Sequence, residues 1–230
     1  MELTYHGHAC FTLKTQGGTA LIDPWFTGNP LADRPWTEAE ATWLFLTHAH
    51  FDHMGDALAL ARSRGAVIVA VSELAKYCAA QGGVETVKVN VGGSIQLPLG
   101  TVRFPQAFHS SSIDLPDGRN LYGGEAVGLL FQADGKCVYH AGDTGLFGDM
   151  ELLGRRFRPD VALLPIGGSI VMDPEDAAFA AKLLRPRLVS PMHDNSVPSI
   201  RQGPYAFRTM LEEQEGRRCR VLEPGETITL

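Results

Sequence analysis

The chain lacks the features that would place it in or across a membrane. No apolar run approaches the roughly 20 residues a bilayer demands, no basic segment with an apolar core opens it, and no lipidation motif is present. A cytoplasmic protein with no membrane partner is the expectation. Cysteine is scarce: Cys10, Cys78, Cys137 and Cys219 stand far apart with no C-x-x-C pair, which argues against a disulfide framework. Positive charge is in deficit as well. With 20 Lys+Arg against 26 Asp+Glu the net charge is −6, whereas a non-specific grip on a phosphate backbone needs a positive field. The arginine groups at 155–158 and 217–220 read as solvated helix faces, so nucleic acid is not the expected partner. Linkers, charge blocks and repeats are also missing. That leaves a single domain over 1–230, large enough for a substantial core.

What the chain does have is Thr47-His48-Ala49-His50-Phe51-Asp52-His53, directly after the apolar run Trp43-Leu44-Phe45-Leu46. The run reads as a buried strand that delivers the cluster to its C-terminal end. Neither regular geometry aims all four polar side chains at one point. On a strand His53 points away from His48, His50 and Asp52; on a helix His48 and His50 lie nearly opposite. The stretch is therefore a loop, and the natural division puts His48 and His50 on one centre, Asp52 and His53 on another. Imidazole and carboxylate suit a divalent first-row metal such as zinc.

Strands dominate the first half. A hairpin joins 2–14 to 19–22 at Gly17-Gly18. A loop over 24–36 carries the exposed-looking aromatics Trp25, Phe26 and Trp36. Asp56 caps a helix that stops at Gly65, and Ser72 caps another ending at Gly82-Gly83. Strands follow over 67–71, 86–91, 94–97 and 101–108, then a polar loop over 110–120, then a hairpin of 126–132 with 136–140. In the second half strands at 161–165, 188–190 and 219–222 alternate with helices at 149–153, 173–184 and 205–213. Mixed sheets with helices outside fit this pattern.

Further donors stand at strand ends: His109, His140 and Asp143, and His193. With these in place the chain resembles the metallo-β-lactamase superfamily, in particular its small, uncharacterised metal-dependent hydrolases. The resemblance rests on Tyr5-His6-Gly7-His8, Leu21-Ile22-Asp23-Pro24, the H-x-H-x-D-H cluster, His109-Ser110-Ser111, Ala141-Gly142-Asp143-Thr144-Gly145-Leu146-Phe147, Leu164-Pro165-Ile166-Gly167 and Pro191-Met192-His193. It implies an αββα sandwich with two mixed sheets face to face. It also implies two divalent ions, zinc first, with manganese or iron as alternatives. His48, His50 and His109 would hold one, Asp52, His53 and His193 the other, and Asp143 would bridge them. Asp23 becomes a supporting carboxylate, and His8 a rim residue that shapes substrate or orients a ligand. His140 is expected to be structural. Asp143 occupies the position many true β-lactamases give to cysteine, which argues against antibiotic hydrolysis. Asp194 departs from the pattern, where an aromatic residue follows the last ligand.

The reaction expected is hydrolysis of a small-molecule ester, lactone, thioester or phosphodiester by hydroxide held between the ions, with Asp52 and Asp143 in the catalytic roles. A nuclease of the same fold and a mononuclear iron dioxygenase are the alternatives, and a homo-oligomer is left open.

Overall fold

The structure is a computed structural model that describes residues 1–230, the side chain of Gln214 excepted. The chain opens with β1 (Glu2–Tyr5), β2 (Phe11–Thr15) and β3 (Gly18–Ile22), an antiparallel meander, followed by the parallel strands β4 (Trp43–Phe45), β5 (Val67–Val71) and β6 (Thr86–Val89). The short helix α1 (Phe51–Met54) and then α2 (Ala57–Arg64) connect β4 to β5, and α3 (Ser72–Ala80) connects β5 to β6. β5 is Val-Ile-Val-Ala-Val, all but its first residue buried, as expected for a parallel strand covered on both faces.

β7 (Ser94–Leu97) and β8 (Gly100–Arg103) begin a second sheet, and a separate hairpin of β9 (Ser112–Asp114) and β10 (Asn120–Tyr122) interrupts it. β11 (Leu129–Ala133), β12 (Lys136–His140), β13 (Val161–Pro165) and β14 (Leu188–Met192) complete that sheet, the last three parallel. The helices α4 (Met150–Phe157), α5 (Pro174–Leu184) and α6 (Pro204–Glu215) belong to this half, and β15 (Thr227–Thr229) returns to pair with β1. The sheet orders are β15-β1-β2-β3-β4-β5-β6 and β14-β13-β12-β11-β8-β7. Rings from the two sheets meet in the middle: Phe45 and Phe131 edge-to-face at 5.0 Å, Phe11 and His140 at 5.5 Å. This is the αββα sandwich with mixed sheets. Among the described residues no helix is long and apolar enough to cross a membrane. All four cysteines are buried and unpaired.

Several elements differ from the sequence reading, each for a local reason. Residues 2–14 are two strands rather than one, because Gly7 (φ +99°) and His8 (φ +58°) turn the chain between them. A Cβ on Gly7 would lie 2.6 Å from the Leu31 carbonyl oxygen, so only glycine fits there. His6 and His8 therefore share no strand face. The strand expected over 101–108 ends at Arg103; Pro105 has no N–H for a ladder, and only Gln106 bridges onward, to Val127. The loop expected over 110–120 folds as the β9–β10 hairpin. Cys219 makes a single bridge to Val189 instead of opening a strand, and the true last strand comes after the Pro224-Gly225 turn. Trp25 and Phe26 are buried and Trp36 is partly so. Asp173 caps α5 through the Asp176 N–H as expected. Asp56 caps nothing with its side chain; it accepts instead from the N–H groups of Phe26 and Thr27 and the Thr27 hydroxyl, pinning the 24–27 segment. Ser72 is the first helical residue, its hydroxyl bonded to the Val89 carbonyl.

Candidate metal centre

Parallel neighbours end at one rim, and the polar residues leave from those ends. Asp23 follows β3, Asp143 lies three residues past β12, and His193 follows β14 directly. After β4 the stretch expected to be a loop is one only as far as His50, which starts the single helical turn α1 that carries Asp52 and His53. Segment 104–109, coming off β8, brings in His109, and the β1–β2 turn brings in His8.

Asp143 stands at the centre. Its Oδ2 lies 2.9 Å from His193 Nε2, 3.5 Å from His109 Nε2 and 4.0 Å from His48 Nε2, and its Oδ1 lies 3.2 Å from His53 Nε2. Donor atoms of His48, His50 and His109 form one mutually close group, those of His8, Asp52, His53 and His193 a second, and those of His48, His53 and Asp143 a third that links them; within each, all lie inside 4.8 Å. His48 Nε2 and His50 Nδ1 are 3.0 Å apart.

Supporting bonds aim these rings. Asp23, fully buried, accepts from the Thr47 N–H (2.9 Å) and the Thr47 hydroxyl (2.7 Å) and meets His53 Nδ1 at 2.8 Å, which turns His53 Nε2 toward Asp143. Thr47 Oγ1 also lies 3.0 Å from His48 Nδ1. Ser111 Oγ accepts the Ala49 N–H at 3.2 Å and steadies the loop from below. His8 is deeper than its sequence suggested. It is buried, its ring is 4.0 Å from that of His193 and 4.9 Å from that of Trp25, its Nδ1 bonds Ser196 Oγ at 2.6 Å, and its Nε2 stands 3.3 Å from Asp52 Oδ2. Ser196 lies 188 residues from its partner, and no local signal marks it. The two histidines left over are structural. His140 bonds the Ala9 carbonyl and the Gly142 N–H, and His6 bonds Asp33 and Thr12.

Burial keeps the imidazoles of His48, His50 and His109 below the ordinary histidine pKa, and it lowers His8 to about 4, with His193 adding to the effect. Neutral rings leave a nitrogen lone pair free for a metal. Burial would also lower His53, but Asp143 and Asp23 outweigh it and hold the ring well above the usual value. Burial would raise Asp143; His193 and His53 outweigh it and hold the carboxyl well below the usual range. His8 Nε2, His53 Nε2, Asp143 Oδ1 and both ring nitrogens of His193 are buried without a hydrogen-bond partner among the described residues. An orphaned buried polar atom costs about 1–3 kcal/mol. His53 Nε2 and His193 Nε2 face Asp143 oxygens and His8 Nε2 faces an Asp52 oxygen, so nitrogens and carboxylate oxygens point at one another as donors around a shared cation do. His193 Nδ1, on the other side of its ring, lies outside that set. The donor set, imidazole with carboxylate, fits a divalent metal.

A rim of imidazoles and carboxylates at the strand ends of an αββα sandwich defines the class as the metallo-β-lactamase fold. Residues 2–193 match the β-lactamase superfamily domain. The chain is 48% identical over 230 residues, the whole of both chains, to a UPF0173 metal-dependent hydrolase of Geobacillus thermodenitrificans. The solved structure of Igni18, a metallo hydrolase from Ignicoccus hospitalis, is 40% identical with a TM-score of 0.88, covering 100% of this chain and 97% of that one. An isothiocyanate hydrolase from Delia radicum gut bacteria is 22% identical with a TM-score of 0.80, covering 100% and 99%, a likeness of fold. The chain belongs to the UPF0173 family of metal-dependent hydrolases.

Proposed function

We propose that this enzyme is a binuclear-metal hydrolase of small molecules. His48, His50 and His109 hold one divalent cation, Asp52, His53 and His193 hold the other, and Asp143 lies between them as the shared ligand. The observation that carries this reading is the convergence of the Nε2 atoms of His48, His53, His109 and His193 on the Asp143 carboxylate. Zinc suits the donors best, and manganese or iron are the alternatives.

A bound cation pair supplies Lewis acidity toward the electrophile and lowers the pKa of bound water toward about 7. The chain's own residues do the positioning. Asp23 holds His53 through Nδ1 and leaves Nε2 free. Ser196 holds His8, whose Nε2 faces Asp52. Asp52 is the more accessible carboxylate, its side chain 18% exposed against 2% for Asp143, so it is the one placed to pass a proton between solvent and a leaving group. His50 and His109, only half-buried, mark the open side through which an ester, lactone, thioester or phosphodiester would approach.

Dialysis against a strong chelator should abolish turnover of a chromogenic ester or phosphodiester, and zinc or manganese should restore it as two metal equivalents per chain bind. Undiminished activity after complete metal removal would sink the proposal. Saturation at one equivalent would overturn the paired arrangement.

A further inference from the structure

Eight large apolar side chains are exposed among the described residues, and Phe51, Phe108, Leu121 and Tyr122 are four of them. These four arise on the segments that carry the centre or press against it. Phe51 directly follows His50 and Phe108 directly precedes His109, and the rings of those two histidines are 5.1 Å apart. The phenylalanines are therefore rooted next to the two half-buried histidines of the centre. Each is backed by a buried ring: Phe51 edge-on to Trp25 at 5.8 Å, Phe108 edge-on to Phe147 at 5.4 Å. Tyr122 and Leu121 end β10, and the next residue, Gly123, bonds the Ser111 carbonyl at 2.9 Å. A Cβ on Gly123 would lie 2.3 Å from that of Ala49, so the end of β10 presses on the metal loop. Exposed apolar clusters of this kind mark binding surfaces.

Charge points the same way. Every ion pair at the centre is between histidine and aspartate. Among the described residues no lysine or arginine pairs with any of those side chains; the groups that meet one another at the centre are imidazoles and carboxylates alone.

Building on the binuclear reading above, we infer that the substrate is an acyl compound, an ester, thioester or lactone, carrying an uncharged apolar chain or ring that Phe51 and Phe108 grip beside the scissile bond. Water adds to the carbonyl, the acyl–oxygen or acyl–sulfur bond breaks, and the proton released goes to the departing alcohol or thiol.

The test uses zinc-loaded full-length protein and p-nitrophenyl acetate, butyrate and octanoate, with bis(p-nitrophenyl) phosphate alongside. From acetate to octanoate kcat/KM should rise on the order of 100-fold, because each buried methylene contributes several-fold. F51A and F108A should each cut the octanoate-to-acetate ratio roughly 10-fold with metal content and melting temperature unchanged. F179A, on an exposed face of α5, should leave the ratio intact. Calorimetry should give the product octanoate at least about tenfold tighter binding than acetate. A flat chain-length profile in an active, metal-loaded enzyme overturns this inference alone. Loss of every hydrolytic activity, phosphodiester included, overturns the reading beneath it as well. An unaltered ratio in both variants with a lower particle mass by light scattering would mean that the rings cover a second copy of the chain, and the inference falls.

Discussion

At the scale of single residues, the rim is built from backbone conformations the chain would otherwise avoid. His8, Asp23 and His193 all have positive φ, at +58°, +45° and +54°. A non-glycine residue in that region costs on the order of 1 kcal/mol or more, and all three are buried at the centre. The His193 N–H bonds the His8 carbonyl at 2.8 Å, so two of these residues brace each other. Asp23 gives the sharpest test. D23N keeps the shape but removes the charge that faces His53 Nδ1 and the Thr47 hydroxyl. Metal affinity should fall roughly 10–100-fold, read by competition with a chromophoric chelator; unchanged affinity would show that Asp23 only packs. That these imidazoles and carboxylates converge was legible in the sequence, because H-x-H-x-D-H at a strand end has few other uses, although the cluster is half loop and half the single turn α1. The support was less so. Ser196 and Ser111 act through bonds to residues 188 and 62 positions away, and a serine in a loop carries no mark of such a partner.

At the scale of elements, apolar runs bounded by glycine or proline were readable, and β5, β12 and β13 match them residue for residue. Failures came where tertiary contacts override local pattern. β10 is three exposed residues whose only ladder is to β9, so no burial pattern announces it. Residues 219–222 carry an apolar pair, Val221-Leu222, yet the pairing is a single bridge at Cys219, closed by the Arg218 carbonyl and the Arg220 N–H on Val189. Helix packing holds a further case. Gly154 sits inside α4 where it crosses α5, and a Cβ there would lie 2.4 Å from the Leu184 carbonyl oxygen and 2.6 Å from that of Leu183. Alanine gains about 1 kcal/mol of helix propensity, but forcing the helices apart costs about 1–3 kcal/mol. G154A should therefore be less stable by up to about 2 kcal/mol in urea denaturation; a stabilised variant would show that α4 moves freely.

At the scale of the whole molecule, the centre takes donors from both halves: His48 and His50 from the loop after β4 and Asp52 and His53 from α1 beside the first sheet, His109, Asp143 and His193 from the second. An ion held by these donors would therefore tie the two halves of the sandwich across their shared rim. At a thousandfold excess over its dissociation constant a bound ion adds about 4 kcal/mol. For a chain of this size that is on the order of 10 °C in Tm. Scanning calorimetry with and without chelator should show that shift, and its absence would mean the halves hold together without the ions. Mixed sheets with helices outside were foreseeable from strands early and strand–helix units late, and the sandwich from the resemblance; the pairing of β15 with β1, which joins residues up to 227 positions apart, was not. The buried cysteines turn this architecture into its own gauge. Cys10 and Cys78 lie with the first sheet, Cys137 and Cys219 with the second, and burial pushes Cys78 up to about 11 and Cys137 and Cys219 up to about 12. A thiol reagent is thus blind to the native state and records only its openings, so simultaneous or staggered labelling of the two pairs tells whether the sandwich comes apart in one event or leaf by leaf.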